Sequence, residues 1–191
     1  NEVRRNADGS LREEDVQRVL DSIAAARRRN DVVLAYQHNH YWERPEIHRT
    51  PEWQRALARR CVDAGAAVFA GHGPPLLHGI EMYGGAPLFY SLGSFIFQTK
   101  KEEGEYGPPN WESLLAECRF VGGRFQSADL TPLVLNDVGA GGPDDLETRG
   151  RPSFSVGERA RETLERVAAH SAALGFKLHH DGRTARLTVS T

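Results

Sequence analysis

Two short segments carry most of the histidine chemistry of this chain. They are His38-Asn39-His40 with Glu43 three residues beyond, and Gly71-His72-Gly73-Pro74-Pro75. Side chains alternate along an extended segment, so His38 and His40 project to one side, about 7 Å apart. Two imidazoles so placed can share a metal ion or flank a substrate, and the same pattern also occurs in polar loops with hydrogen-bonded histidines. Glycine on both sides of His72 lets the backbone approach a ligand closely, and the Pro-Pro step stiffens the turn. His38, His72 and Glu43 are therefore the candidate acid–base groups, and His38, His40 and His72 the candidate metal ligands. Other groups say less. His78 reads as a surface or core histidine, and Glu81 as an orienting carboxylate or a solvated one. His48, His170, His179 and His180 show no partner in the sequence. Cys61 and Cys118 read as small hydrophobes. Ser91-Leu92-Gly93-Ser94 is not a nucleophile elbow, and no phosphate-cradling glycine loop is present.

The elements around these segments predict how they are placed. Residues 10–29 read as a helix with a Ser10/Glu13 capping box and an apolar face of Val16, Val19, Leu20, Ile23 and Ala26. Residues 31–36 (DVVLAY) and 66–70 (AAVFA) read as buried strands. Between them, Thr50-Pro51 opens a helix whose stripe is Trp53, Leu57, Cys61 and Val62 and whose stop is Gly65. Strand, helix, strand at this spacing is a parallel βαβ unit. Both histidine segments then leave the carboxyl ends of neighbouring strands, where open α/β sheets bind ligands. Beyond Ile80 the pattern becomes strand, turn, strand, followed by Phe95-Ile96-Phe97. Phe89, Tyr90, Phe95 and Phe97 are expected in the core. Residues 100–112 read as a loop and 114–130 as a hairpin turning at Gly122-Gly123. Residues 136–152 read as a loop or linker, and 157–174 as a helix. A last hairpin runs from Phe176–His179 through Asp181-Gly182 to Ala185–Val189. The fold class is α/β, with the βαβ unit first and hairpins and a helix at the C-terminus.

Composition narrows the function. With 191 residues the chain can bury a real core without disulfides. A net charge of −2 argues against a nucleic-acid partner bound by phosphate neutralisation. No run of about 20 apolar residues is present, and two cysteines make neither a disulfide framework nor a zinc ribbon. The chain begins at Asn1 and its one methionine is Met82, so the expectation is that an N-terminal part was removed or that the sequence starts inside a longer reading frame.

The order HNHYWE, then VDAGAAVFAGHGPPLLHGIEMYGG, then PLFYSLGSFIFQ, resembles the CapA-like poly-γ-glutamate capsule synthesis proteins. The pattern of that family runs H-x-H-E, D-A-G-A-D, G-H-G-P-H, G-I-E-x-Y and F-Y-S-L-G-N-F-I-F-Q. SLLAECRFVGGRF and the RGRP step at 149–152 also resemble the family. The resemblance covers nearly the whole chain, as the C-terminal part of a complete member. It implies a partial calcineurin-like metallophosphatase sandwich. Residues 1–135 would be the C-terminal part of that domain, with 136–191 as the linker, helix and hairpin that complete it. His38, His40 and His72 match the family's histidine positions, and the first Asp and the Asn ligand lie upstream of this chain. Three departures stand out: Pro75 replaces the second histidine of G-H-G-P-H, Ser94 replaces the asparagine, and Glu43 lies three residues after His40 rather than next to it. The implied cofactor is a divalent metal (Mn, Zn or Fe) whose site Pro75 weakens, because proline cannot ligate.

Three functions follow from these readings. One is a hydrolase or transferase acting at an amide or phosphate group of a glutamate polymer or cell-surface polymer. Another is a metal-independent acid–base enzyme on a peptide, epimerase-like. The last is a non-catalytic subunit of a polymer synthesis or export complex. The expected partners are a glutamate polymer or peptide, the missing N-terminal half of the same protein, and a membrane-associated synthesis complex. Family members are often membrane-associated or exported.

Overall fold

A computed structural model describes residues 2–41, 43–99, 104–142 and 144–189. Trp42 of the HNHYWE motif and residues 100–103 of the expected 100–112 loop lie outside the described residues. The chain is mixed α/β. Helix α1 (Glu13–Arg27), strand β1 (Leu34–His38), helix α2 (Glu52–Asp63) and strand β2 (Val68–His72) come first. Strands β3 (Ile80–Tyr83) and β4 (Ala86–Phe89) complete a four-stranded sheet in the order β1-β2-β4-β3. β1, β2 and β4 are parallel, and β3 is antiparallel to β4. A second sheet holds β5 (Glu112–Val121), β6 (Arg124–Leu135), β8 (His179–His180) and β9 (Ala185–Thr188) in the order β5-β6-β9-β8. Strand β7 (Pro152–Phe154), which the sequence reading placed partly in a linker, pairs with β6, and helix α3 (Gly157–Ala172) precedes the last hairpin.

One core lies between the two sheets and α3, built on Val68, Ile80, Phe89, Leu130, Leu164, Val167 and Leu187. The other lies on the opposite face of the first sheet, where α1 and α2 pack Val16, Ile23, Leu57 and Cys61 against Ala35, Phe69 and Leu88. Burial pushes the Cys61 thiol up to about 11, so it behaves as the small hydrophobe expected.

Several boundaries differ from the sequence reading, each for a local reason. α1 starts at Glu13, and no side chain caps it. Ser10 instead hydrogen-bonds Asp8 (2.6 Å), while Asp15 takes Arg4 (2.8 Å) and Arg18 (2.6 Å), which holds its carboxyl well below the usual range. β1 and β2 each begin later than their apolar runs and extend into the polar residues that follow, through His38 and His72. Cross-strand backbone pairing, not hydrophobicity, decides where a strand stops. β1 is also an edge strand rather than a buried one: Ala35 is buried, while Leu34 and Tyr36 are exposed. Phe95-Ile96-Phe97 forms no strand, and Phe95 is exposed while Phe89 and Tyr90 are buried. Phe97 instead packs on Trp111, in the short 3-10 turn Pro108–Trp111. The 136–152 segment is packed, not free: Arg149 is buried and bonds Asp137 O, and Phe97 N donates to Gly150 O.

Glu81 and His78 are structural. Glu81 is buried and takes Arg59 (2.6 Å), Arg55 (3.4 Å) and the Tyr90 hydroxyl (3.0 Å), which ties α2 to the first sheet. It is neither solvated nor an orienter of the histidine segments. His78 is almost fully buried, and its Nε2 faces Ile47 O at 3.2 Å. His48 and His170, for which the sequence offered no partner, stack on each other at 5.3 Å and bear on His78 electrostatically.

Gly73 is required. Its φ is +127°, and a Cβ there would meet Asn39 O at 1.8 Å. Gly73→Ala is expected to lower stability by about 2 kcal/mol or more, read as a fall in thermal midpoint. An unchanged midpoint would refute the close crossing. Burial first, and then the neighbouring His48 and His170, push His78 down to about 4. A folded-state value below the unfolded one means its stabilisation is present above about 6.5 and lost as pH falls toward 4. The expected loss is about 3 kcal/mol at roughly 1.4 kcal/mol per pKa unit. Urea midpoints should drop from pH 7.5 to pH 4.5, and His78→Gln should flatten that slope; equal slopes for the two proteins would contradict it.

Candidate functional site

The two histidine segments meet because β1 and β2 are parallel neighbours in a register that puts His38 opposite His72. The last residues of both strands therefore leave the sheet at the same edge. Asn39 N donates to His72 O (2.8 Å), which carries the pairing one residue past β1. The Gly73 crossing lets the second turn pass against Asn39 without a side chain between them. Ser91 Oγ donates to Pro74 O (3.3 Å) and holds the turn that follows His72.

Three imidazoles line up in this corner. His38 Nδ1 lies 3.0 Å from His72 Nδ1, and His38 Nε2 lies 2.9 Å from His40 Nε2. The ring centroids are 5.2 Å apart for His38 and His72 and 4.8 Å for His38 and His40. Tyr36, two residues before His38, stacks near His72 at 6.4 Å. Each short N···N contact needs one N–H and one lone pair. A neutral His38 has one of each, so it donates to one neighbour and accepts from the other. The tautomers follow as a directional chain through His72, His38 and His40. Partial burial lowers the His72 pKa, and the neighbouring His38 and His40 add to that, a shift in the direction that favours the neutral ring the chain requires.

The arrangement tests the expected metal site. The two contacts of His38 leave from opposite sides of its ring, so the three rings do not face one common point. Two nitrogens on one tetrahedral metal, at 2.0–2.1 Å each, stand about 3.4 Å apart, whereas these pairs sit at hydrogen-bond distance. Among the described residues, no group of three or more His, Cys, Asp or Glu is arranged to hold a metal ion. These side chains by themselves do not fit a metal site. Pro75 adds no donor. Glu43 is half-exposed and pairs with Arg49 (3.5 Å), an ion pair within its own loop.

A cavity of about 550 Å³ lies beside the corner. The β1 edge from Val33 to Asn39 forms one wall, Ile23 and Ala26 of α1 and Trp53 and Leu57 of α2 form others, and His38 stands at its end. The sequence reading missed Arg5 and Tyr41, which also line it. The aromatic Tyr41 directly after His40 was the one signal that could have pointed there.

Comparison with known proteins gives a family. Residues 1–99 match the model of the bacterial capsule synthesis protein PGA_cap. The PGA biosynthesis protein CapA of Bacillus subtilis (strain 168) is 37% identical over 83 residues, covering 44% of this chain and 21% of that protein. The capsule biosynthesis protein CapA of Bacillus anthracis is 39% identical over 59 residues, covering 31% of this chain and 14% of that protein. An uncharacterized protein, y4sH, of Sinorhizobium fredii (strain NBRC 101917 / NGR234) is 28% identical over 211 residues, covering 88% of this chain. The chain spans 44% of the length of that relative. With half its length matched, and the matched half holding both histidine segments, the chain belongs to the bacterial capsule synthesis protein PGA_cap family.

Proposed function

We propose that the chain supplies an acid–base histidine centre for poly-γ-glutamate capsule biosynthesis, acting as a hydrolase or transferase at an amide or phosphate group of the polymer or its precursor. The observation that carries this reading is the contiguous imidazole chain at the carboxyl ends of β1 and β2. His72 Nδ1 is engaged with His38, so its Nε2 is the atom left to take a proton from an attacking water or hydroxyl. The His72 Nδ1 proton then moves to His38 Nδ1, and the His38 Nε2 proton moves to His40 Nε2. The positive charge ends on His40, which is exposed and therefore hydrated. Reversal of the same chain returns a proton to the leaving group. Glu43, paired with Arg49 in its own loop, is given no step in this transfer.

The rest of the longer protein is the proposed first partner. Among the described residues no strand pairs the outer edge of β1, where Leu34 and Tyr36 are exposed, and a further strand from outside residues 1–191 would extend the sheet there. Any manganese, zinc or iron at this corner would need donors from that same part. Residues 136–191 are taken to complete the domain begun by residues 1–135, because Leu164, Val167 and Leu187 share a core with Val68 and Phe89. No helix among the described residues is long and apolar enough to cross a membrane; a membrane-associated synthesis complex remains part of the proposal.

His72→Ala and His38→Ala are expected to reduce turnover of γ-linked polymer by about 100-fold or more, with the protein still folded by circular dichroism. Because His72 titrates below an ordinary histidine, the acid limb of the rate profile should lie below pH 6.5. Full capsule production with His72→Ala would instead favour a non-catalytic subunit. Loss on chelation with recovery on added metal would move the chemistry to a metal completed by the rest of the protein.

A further inference from the structure

We propose that Arg5 is the carboxylate-recognition residue of the cavity that ends on His38, and so a specificity determinant for an acidic, amide-linked ligand. The inference rests on the reading of this corner as a reaction centre for a glutamate polymer. It comes from a cation whose hydrogen bonds are incomplete. The Arg5 guanidinium lies 4.3 Å from the Tyr41 ring centroid and 4.5 Å from that of Trp53, and the two rings meet edge to face at 6.2 Å. Nη1 donates to Gly9 O (2.8 Å), while Nη2 is buried with no hydrogen-bond partner among the described residues. A donor of a charged group shut off from water and left unmet is costly, more so than a neutral one. The aromatic pair fixes the position of the charge but supplies no acceptor for that N–H edge.

The location gives the unmet edge a use. Arg5, Tyr41, Trp53 and His38 all line one cavity of about 550 Å³, large enough for a ligand of several residues. Arg5 is the one Lys or Arg among its described lining residues. Tyr41 is one residue past His40 and is anchored by its backbone N–H to Asn39 Oδ1 (2.9 Å). The ring that covers the guanidinium is thus carried on the histidine turn itself. Tyr41 is more than half exposed on a stretch without regular structure, so its ring has room to turn off the guanidinium. A single guanidinium edge with no second Lys or Arg among the described lining residues suits one carboxylate; a phosphate, with more charge and more oxygens, calls for several donors. Glu2, on the cavity lining, has its backbone carbonyl held by Arg18 (3.2 Å). No ion pair joins its carboxylate to Arg5 among the described contacts.

Calorimetric binding of γ-linked triglutamate and of its α-carboxamide analogue to the wild-type protein tests this without altering the fold. The acid is expected to bind at least tenfold more tightly than the amide. Arg5→Gln should weaken the acid at least tenfold and leave the amide unchanged, with Arg5→Lys between them. Equal binding of acid and amide to the wild type, or undiminished acid binding by a folded Arg5→Gln protein, overturns the inference. The two readings fail separately. Loss of turnover in His72→Ala with Arg5-independent binding keeps the reaction centre and removes Arg5 from recognition. Arg5-dependent binding with full turnover in His72→Ala keeps the carboxylate site and removes the histidine chemistry.

Discussion

The parallel pairing of β1 with β2 is the constraint on which the rest of the corner depends. Its register places His38 opposite His72, and the same ladder continues through the Asn39 amide to His72 O. A parallel pair sends both chains off the same end of the sheet, so two turns must cross in a small space. Gly73 makes that crossing possible, because any side chain there would occupy the position of Asn39 O. A slip of one residue in the register would turn His38 to the other face of the sheet and break the imidazole chain.

Charge is distributed to suit this geometry. Carboxylates that lie inside the fold are consumed by arginines: Asp15 by Arg4 and Arg18, Glu81 by Arg55 and Arg59, and Glu112 by Arg166. The Asp15 pairs tie the N-terminal segment to α1, the other two pin helices to sheets, and the histidine corner is left without an acidic neighbour among the contacts described. That is why the imidazoles there turn to one another, and why burial and mutual proximity lower His72 rather than a carboxylate raising it. A second histidine group, His48, His78 and His170, is a packing contact between the segment before α2, the turn before β3, and the last turn of α3.

Much of this was legible in the chain. The βαβ unit, the Gly84-Gly85 and Gly122-Gly123 turns, and the last helix follow from apolar spacing and turn residues, which act locally. Strand ends were not legible, since Gln37 and His38 join β1 only because β2 offers backbone partners. Phe95 looked like core by type, yet the chain bends there and leaves it exposed. Arg5 carried no signal at all: it is far in sequence from Tyr41 and Trp53, and only folding stacks them.

The sequence by itself determined which residues can do chemistry, that His38 and His72 follow two strands joined by a helix, and, through its motifs, the family. Those properties are written in residue type and short-range spacing. Only the tertiary structure decided that the three rings bond in a line instead of surrounding a point, and that a cation sits between two aromatic rings beside them. Both depend on distances across the fold, which are set by strand register and packing and have no image in local sequence.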